Sequence, residues 1–167
     1  MSSLMALSLG IGISCGIFSL FCHVTGISVW MGFVGCTSYF AVGGGGKNAL
    51  IRALACNYAG VAFAMLVIAF HSTGIMQEGT FLVPLLGALA TACIAWAMTY
   101  ISRAGLFVSV VSSFMGCFST FASGGNWKLM LPSLACGVVL GFCCDMAGKQ
   151  IERLWGRKGN SQANTDP

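Results

Sequence analysis

Apolar residues fall into six long runs along the chain, separated by short polar or glycine-rich breaks. The runs cover about Leu4 to Val24, Ser28 to Val42, Asn48 to Phe70, Phe81 to Ile101, Leu106 to Ser123 and Leu129 to Ala147. Thr25-Gly26 reads as a tight turn, His71 to Gly79 as a polar loop, and Ser102-Arg103-Ala104-Gly105 and Gly124-Gly125-Asn126 as further breaks. Gly43 to Gly46 is a run of glycines, each of which costs a helix about 1 kcal/mol relative to Ala. A bilayer core takes roughly 20 apolar residues per helix. The pattern therefore predicts an all-α membrane protein of six transmembrane helices over residues 1–149. A polar tail follows at 150–167, of which Gly159 to Pro167 is expected to be disordered.

The second and fifth runs are short. At about 1.5 Å per residue they reach only roughly 22 to 27 Å, so they read either as thin spanning helices or as re-entrant half-helices. Charge separates the two. With six full spans and the N-terminus inside, Lys47, Arg52, Arg103, Lys149, Arg153, Arg157 and Lys158 face the cytoplasm and Lys128 alone faces out, seven against one. Re-entrant second and fifth segments would divide the basic residues four against four. Positive charge concentrates on the cytoplasmic side of inner-membrane proteins, which favours six spans with both termini cytoplasmic.

The strongest internal signal is a repeat at an offset of 81 residues. GCTSYFAVGGGGK, from Gly35 to Lys47, matches GCFSTFASGGNWK, from Gly116 to Lys128, at eight of thirteen positions. After a one-residue slip, Leu54-Ala55-Cys56 matches Leu134-Ala135-Cys136. Each copy is a three-segment unit, at about 4–70 and 81–147. Three crossings is an odd number, so the second unit is expected to enter the membrane upside down: two inverted three-helix repeats, as in many channels and transporters. In such designs, short glycine-interrupted segments at matching places mark the pathway.

Composition agrees. The chain has 167 residues, 57% hydrophobic and 7% charged, with mean hydropathy +0.87; a soluble domain is roughly 25% charged. Net charge is +4, and four of the eight basic residues, Lys149, Arg153, Arg157 and Lys158, lie at the tail, where they read as a cytoplasmic anchor and not as a nucleic-acid surface. Nine cysteines are scattered through apolar runs with no CxxC pair and no histidine at ligand spacing, so no metal, cofactor or disulfide framework is expected. The N-terminal run lacks leading basic residues and a clear cleavage site, and reads as a retained first helix.

Small residues let backbones approach closely in lipid. Gly35, Cys36, Ser38, Gly116, Cys117 and Ser119 suit a central helix crossing. The same segments would line a narrow path, with Ser38, Tyr39, Ser119 and Thr120 offering hydroxyls and Phe40 and Phe121 setting its width. Gly43, Gly44, Gly124 and Gly125 would expose backbone polar groups at its mouths. Asn57 is the amide well inside the third run. Arg52, Lys128 and Asp145 fall near segment ends, so the buried ionisable groups of coupled pumps are missing from the pattern. His23 and His71 fall at outer helix ends, where a pH gate is the sharper reading and an interfacial histidine the plainer one. An intramembrane serine protease needs a nucleophilic Ser meeting a His below the surface; GCFST around Ser119 lacks the G-x-S-x-G elbow, and the histidines lie at the rim. The expectation is a non-enzyme in contact with membrane lipid, with self-association open. It is either a channel or facilitator for a small neutral solute, or a structural or accessory membrane protein.

Gly32-Phe33-Val34-Gly35-Cys36-Thr37 with Tyr39-Phe40-Ala41, and Trp127-Lys128-Leu129 with Leu131-Pro132-Ser133-Leu134-Ala135, resemble the YcdZ-like inner-membrane proteins of enteric bacteria, a family of unknown function. The resemblance covers most of the chain except the tail. It implies a bacterial inner-membrane location and carries no activity or site residues.

Overall fold

The computed structural model describes residues 3–72 and 82–163, with side chains described for 4–72 and 83–155. Each apolar run forms one helix: α1 (Ser3–Thr25), α2 (Val29–Val42), α3 (Gly46–His71), α4 (Leu82–Ile101), α5 (Val110–Ala122) and α6 (Trp127–Ala163). Four of them, α1, α3, α4 and α6, are long and apolar enough to cross a membrane. The other two, α2 and α5, have 14 and 13 residues, about 20 Å at 1.5 Å per residue, against a hydrocarbon core of about 30 Å.

The breaks explain the helix ends. Gly43 to Gly46 all have φ between 65° and 76°, and Gly124 and Gly125 have φ of 61° and 79°. Residues with a Cβ rarely adopt this left-handed region, so both repeated glycine runs stop one helix and turn the chain into the next. The fifth helix starts later than expected, at Val110 instead of Leu106. Ser109 is extended, and its hydroxyl accepts the Ser112 N–H at 3.2 Å, an N-cap that leaves 104–107 in a hydrogen-bonded turn. The sixth helix ends later than expected. Polar sequence does not stop it at Lys149, and it continues to Ala163, through part of the stretch expected to be disordered. Extending an existing helix adds one hydrogen bond per residue fixed, whereas nucleation is the unfavourable step. Residues 73–79 of the expected polar loop, Phe81, and 164–167 of the tail lie outside the described residues.

Packing partners set the topology. As α2 proceeds, Gly32 meets Gly137 and Tyr39 meets Gly141, so α2 and α6 run in the same direction. Likewise Gly60 of α3 meets Ser113, and the Cys56 thiol reaches the Leu106 carbonyl, so α3 and α5 run in the same direction. Between the pairs the sense reverses. The Ser112 hydroxyl donates to the Ser38 carbonyl at 3.0 Å and the Ser109 hydroxyl to the Ala41 carbonyl at 3.5 Å: later in α2 is earlier in α5. Between α3 and α6, Val61 clusters with Met130 and Leu134, and Ala49 and Ala53 with Val138, again antiparallel. The other two helices flank this four-helix centre: α1 lies along α6, with Gly10 against Gly148 and Phe18 and Cys22 buried near Leu140 and Cys144, and α4 touches α3 through Met98, which packs on Ala64 and Cys117.

Candidate functional site

The centre of the bundle is a seam where α2 and α5 pass between α3 and α6, and it is built on backbone contact. A Cβ at Gly35 would run into the Leu134 carbonyl and Gly137 on α6; one at Gly116 would run into the backbone of Asn57 on α3. Gly60 and Gly137 abut Ser113 and Gly32 in the same way. Small residues are what such contact between membrane helices requires.

The burial sequence of α2 and α5 is the same at the 81-residue offset. Gly35, Cys36, Ser38 and Tyr39 are buried and so are Gly116, Cys117, Ser119 and Thr120, while Phe33, Thr37 and Phe40 are exposed and so are Phe114, Phe118 and Phe121. In α3 and α6 the packing register differs from the sequence match. The buried residues Ala53, Cys56, Asn57, Gly60, Val61, Ala64 and Val67 fall 77 residues before Met130, Ser133, Leu134, Gly137, Val138, Gly141 and Cys144, all buried (57 to 134, 60 to 137). The matched Cys56 and Cys136, 80 apart, are not equivalent in packing: Cys56 is buried and Cys136 only partly so. Relative to the common 81-residue offset, α3 runs four residues further than α6 before its crossing. That is close to one turn of 3.6 residues, so the same face stays inward.

Polar side chains gather in this seam. Ser38, Asn57, Ser112, Ser113, Ser119 and Thr120 are all buried. The Ser38 hydroxyl donates to Asn57 Oδ1 at 2.8 Å, with the Val34 carbonyl also in reach at 3.0 Å. Ser112 Oγ lies 3.0 Å from both the Ser38 carbonyl and Ser109 Oγ. The Thr120 hydroxyl turns back to the Gly116 carbonyl at 2.9 Å. Asn57 Nδ2 and Ser119 Oγ have no partner among the described residues. Tyr39 leads elsewhere, to one end of the bundle. Its hydroxyl donates to Asp145 Oδ2 at 3.0 Å and accepts the Gly46 N–H at 2.8 Å, and Asp145 pairs with Lys149 at 2.7 Å. One carboxylate thus ties the second helix, the glycine turn and the sixth helix together.

Other expected site residues fall differently. Phe40 and Phe121 are 38% and 48% exposed. They stand on the outer face of their helices, so within one chain they do not narrow the seam; the inward positions are taken by the small residues that the close crossing demands. Gly43, Gly44 and Gly124 are exposed at the ends of α2 and α5, with Gly125 partly buried against Ile68. His23 and His71 lie in the last turns of α1 and α3. Among the described residues no group of three or more His, Cys, Asp or Glu is arranged to hold a metal ion. Sequence reasoning missed Ser109, Ser112 and Ser113, which the VSVVSS stretch placed just before the second copy of the repeat, and it missed the Tyr39–Asp145 link, which joins residues 106 apart. Among the described residues, cavities open on the outside of the bundle, including one of about 530 Å³ between α1 and α6, lined by Ile17, Phe18, Phe21, Val139 and Leu140 among others, and one of about 490 Å³ along α5. Neither is lined by the polar residues of the seam.

Apolar helices of spanning length around a core held by small residues define an all-helical membrane protein. The chain belongs to the family described as "Protein of unknown function (DUF1097)", whose model matches residues 8–149. It is 34% identical over 151 residues to the inner membrane protein YcdZ of Escherichia coli (strain K12), covering 89% of this chain and 87% of that one. It is 31% identical over 167 residues to the inner membrane protein YcdZ of Salmonella typhimurium, covering 99% and 98%. It is 29% identical over 162 residues to the uncharacterized protein YahC of Escherichia coli (strain K12), covering 90% and 94%. No solved structure matches the chain.

Proposed function

We propose that the chain crosses the bacterial inner membrane six times, as two three-helix units of opposite orientation with both termini cytoplasmic, and that its α2–α5 seam is a passive path for a small neutral solute. Antiparallel α2 and α5, their shared burial pattern and the paired glycine contacts support the inverted arrangement. The inner-membrane names of the relatives support the location. A reporter active only in the periplasm, fused after Lys158, is expected to give no signal; strong activity would overturn the orientation.

The observation that carries the path is the group of buried hydroxyls and one amide in the middle of a bundle whose outside is apolar, with two of its polar atoms unpartnered among the described residues. Buried polar groups are ordinarily all hydrogen-bonded. An ion would lose far more hydration than these groups restore, which points to water, ammonia, urea, short alcohols or amides. On this reading the protein carries out no chemical step. Purified protein in liposomes should raise the permeability of at least one such solute, and Ser38→Leu with Ser119→Leu should abolish the increase. If none moves faster than through empty liposomes, with folding verified, the structural reading prevails. One observation favours that second reading, a structural or accessory role: the backbones at Gly35, Gly60, Gly116 and Gly137 are in direct contact.

A further inference from the structure

We infer that Asn57 selects the solute of this path, and that the solute is a small neutral molecule with a carbonyl oxygen, urea or a short primary amide. The inference rests on the path reading above and narrows it. Asn57 is fully buried where three helices meet: its backbone abuts Gly116 of α5, and its Oδ1 accepts from Ser38 of α2. A primary amide carries one acceptor oxygen and two N–H donors. Ser38 takes one lone pair of the oxygen, and the nitrogen has no partner among the described residues. What Asn57 leaves wholly unused is its pair of N–H donors.

That sets the chemistry. A cation such as ammonium brings charge and donors and meets donors. A carbonyl oxygen has two lone pairs and fits an N–H2 group. Three residues along α5 from Gly116 stands Ser119, buried and also unpartnered, whose oxygen can take an N–H from the other end of a urea or amide. The equivalent place in the other crossing holds Leu134, so the path has one selecting amide.

The test uses the full chain in liposomes, with urea, thiourea, acetamide, water and ammonia measured side by side. Wild-type protein should speed urea and acetamide over empty liposomes. It should favour urea over thiourea, which has the same shape and a weaker acceptor, by several-fold relative to lipid alone. Asn57→Leu should cut protein-mediated urea flux at least ten-fold, while Asn57→Ser, which keeps a donor, should retain part of it. If water or ammonia moves but urea and acetamide do not, the path stands and the assignment to Asn57 falls. Urea flux that is equal in wild type and Asn57→Leu also defeats it, as does equal protein-mediated flux of urea and thiourea, a comparison that needs no variant. If no solute moves at all, the path reading and this inference fall together.

Discussion

Where α2 crosses α6, Gly35 lies against Leu134 and Gly137; where α5 crosses α3, Gly116 lies against Asn57. The contacts are alike, and the polar groups are not. In the first crossing the middle is apolar, at Leu134, and the end is polar, where Asp145 accepts from Tyr39, Gly46 and Lys149. In the second the middle is polar, at Asn57, and the position 77 residues before Asp145 is Ile68, which packs near Gly125. The flanking helices differ as well: α1 makes backbone contact with α6 at Gly10 and Gly148, whereas Met98 is the one buried residue among the described side chains of α4. Small residues in the crossings are shared because backbone approach requires them at both. Polar groups are free to differ, because each needs only its own local partners.

Bulk at the crossings should have the largest effect. Adding side-chain volume to a packed core typically costs about 1–3 kcal/mol, and here the obstacle is backbone, which cannot rotate away. Gly35→Leu and Gly116→Leu should each lower thermal stability in detergent sharply or prevent folding, as should Gly60→Leu and Gly137→Leu. Gly12→Leu and Gly16→Leu are the controls, because nothing lies within 4 Å of a Cβ there. If both crossing variants melt like these controls, the two crossings are not packed as described.

Next in size is the polar end. Asp145→Ala removes the acceptor from the Tyr39 hydroxyl and leaves Lys149 without its partner. An unsatisfied buried group costs about 1–3 kcal/mol. The melting temperature should fall, and Tyr39→Phe should lower it less, because Asp145 keeps Lys149 and Gly46. The matching change at the apolar end, Ile68→Val, should cost about 0.5–1.5 kcal/mol at most. An Asp145→Ala loss no greater than that of Ile68→Val would mean that the carboxylate does not hold this end together.

The helices were readable because run length and glycine punctuation are local signals, and in lipid the backbone has few alternatives to a helix. The crossing glycines Gly35 and Gly116 were readable through the repeat. The late start of α5 was not, because apolar Leu106, Phe107 and Val108 outweighed a single capping serine at Ser109. The continuation of α6 past Lys149 was missed because polarity was taken as a helix stop, whereas polarity marks only the departure from lipid. The outward placement of Phe40 and Phe121 needs the packing register, since a residue next to a buried position in sequence points about 100° away from it on a helix. The Tyr39–Asp145 link depends on the α2–α6 contact, which no local pattern encodes.

A smaller effect tests the 77-residue correspondence itself. If Leu134 stands to Ser119 as Asn57 stands to Ser38, an amide at 134 finds the unpartnered Ser119 hydroxyl. Leu134→Asn should then be less destabilising than Val138→Asn, which buries an amide with no such partner; both side chains are fully buried in the native protein. The expected difference is about 1 kcal/mol, the size of one net hydrogen bond, read as a difference in melting temperature. Equal losses would break the correspondence.

The smallest expected effect is at Asn57. Asn57→Leu makes the middle of the second crossing resemble that of the first, where a leucine is already buried against α2. The change removes the amide nitrogen that has no partner, and Ser38 retains the Val34 carbonyl at 3.0 Å for its proton. Leucine has the same branched outline as asparagine but bulkier methyl groups, so no cavity opens and the fit tightens. Replacing a buried polar group by an apolar one of similar shape is nearly neutral or stabilising when no partner is stranded. The tighter fit opposes the gain from losing the unpartnered amide, so the melting temperature in detergent should change little. A fall comparable to that of Gly116→Leu would show that the Ser38–Asn57 hydrogen bond holds the crossing together, and that the two crossings differ in what stabilises them as well as in where their polar groups lie.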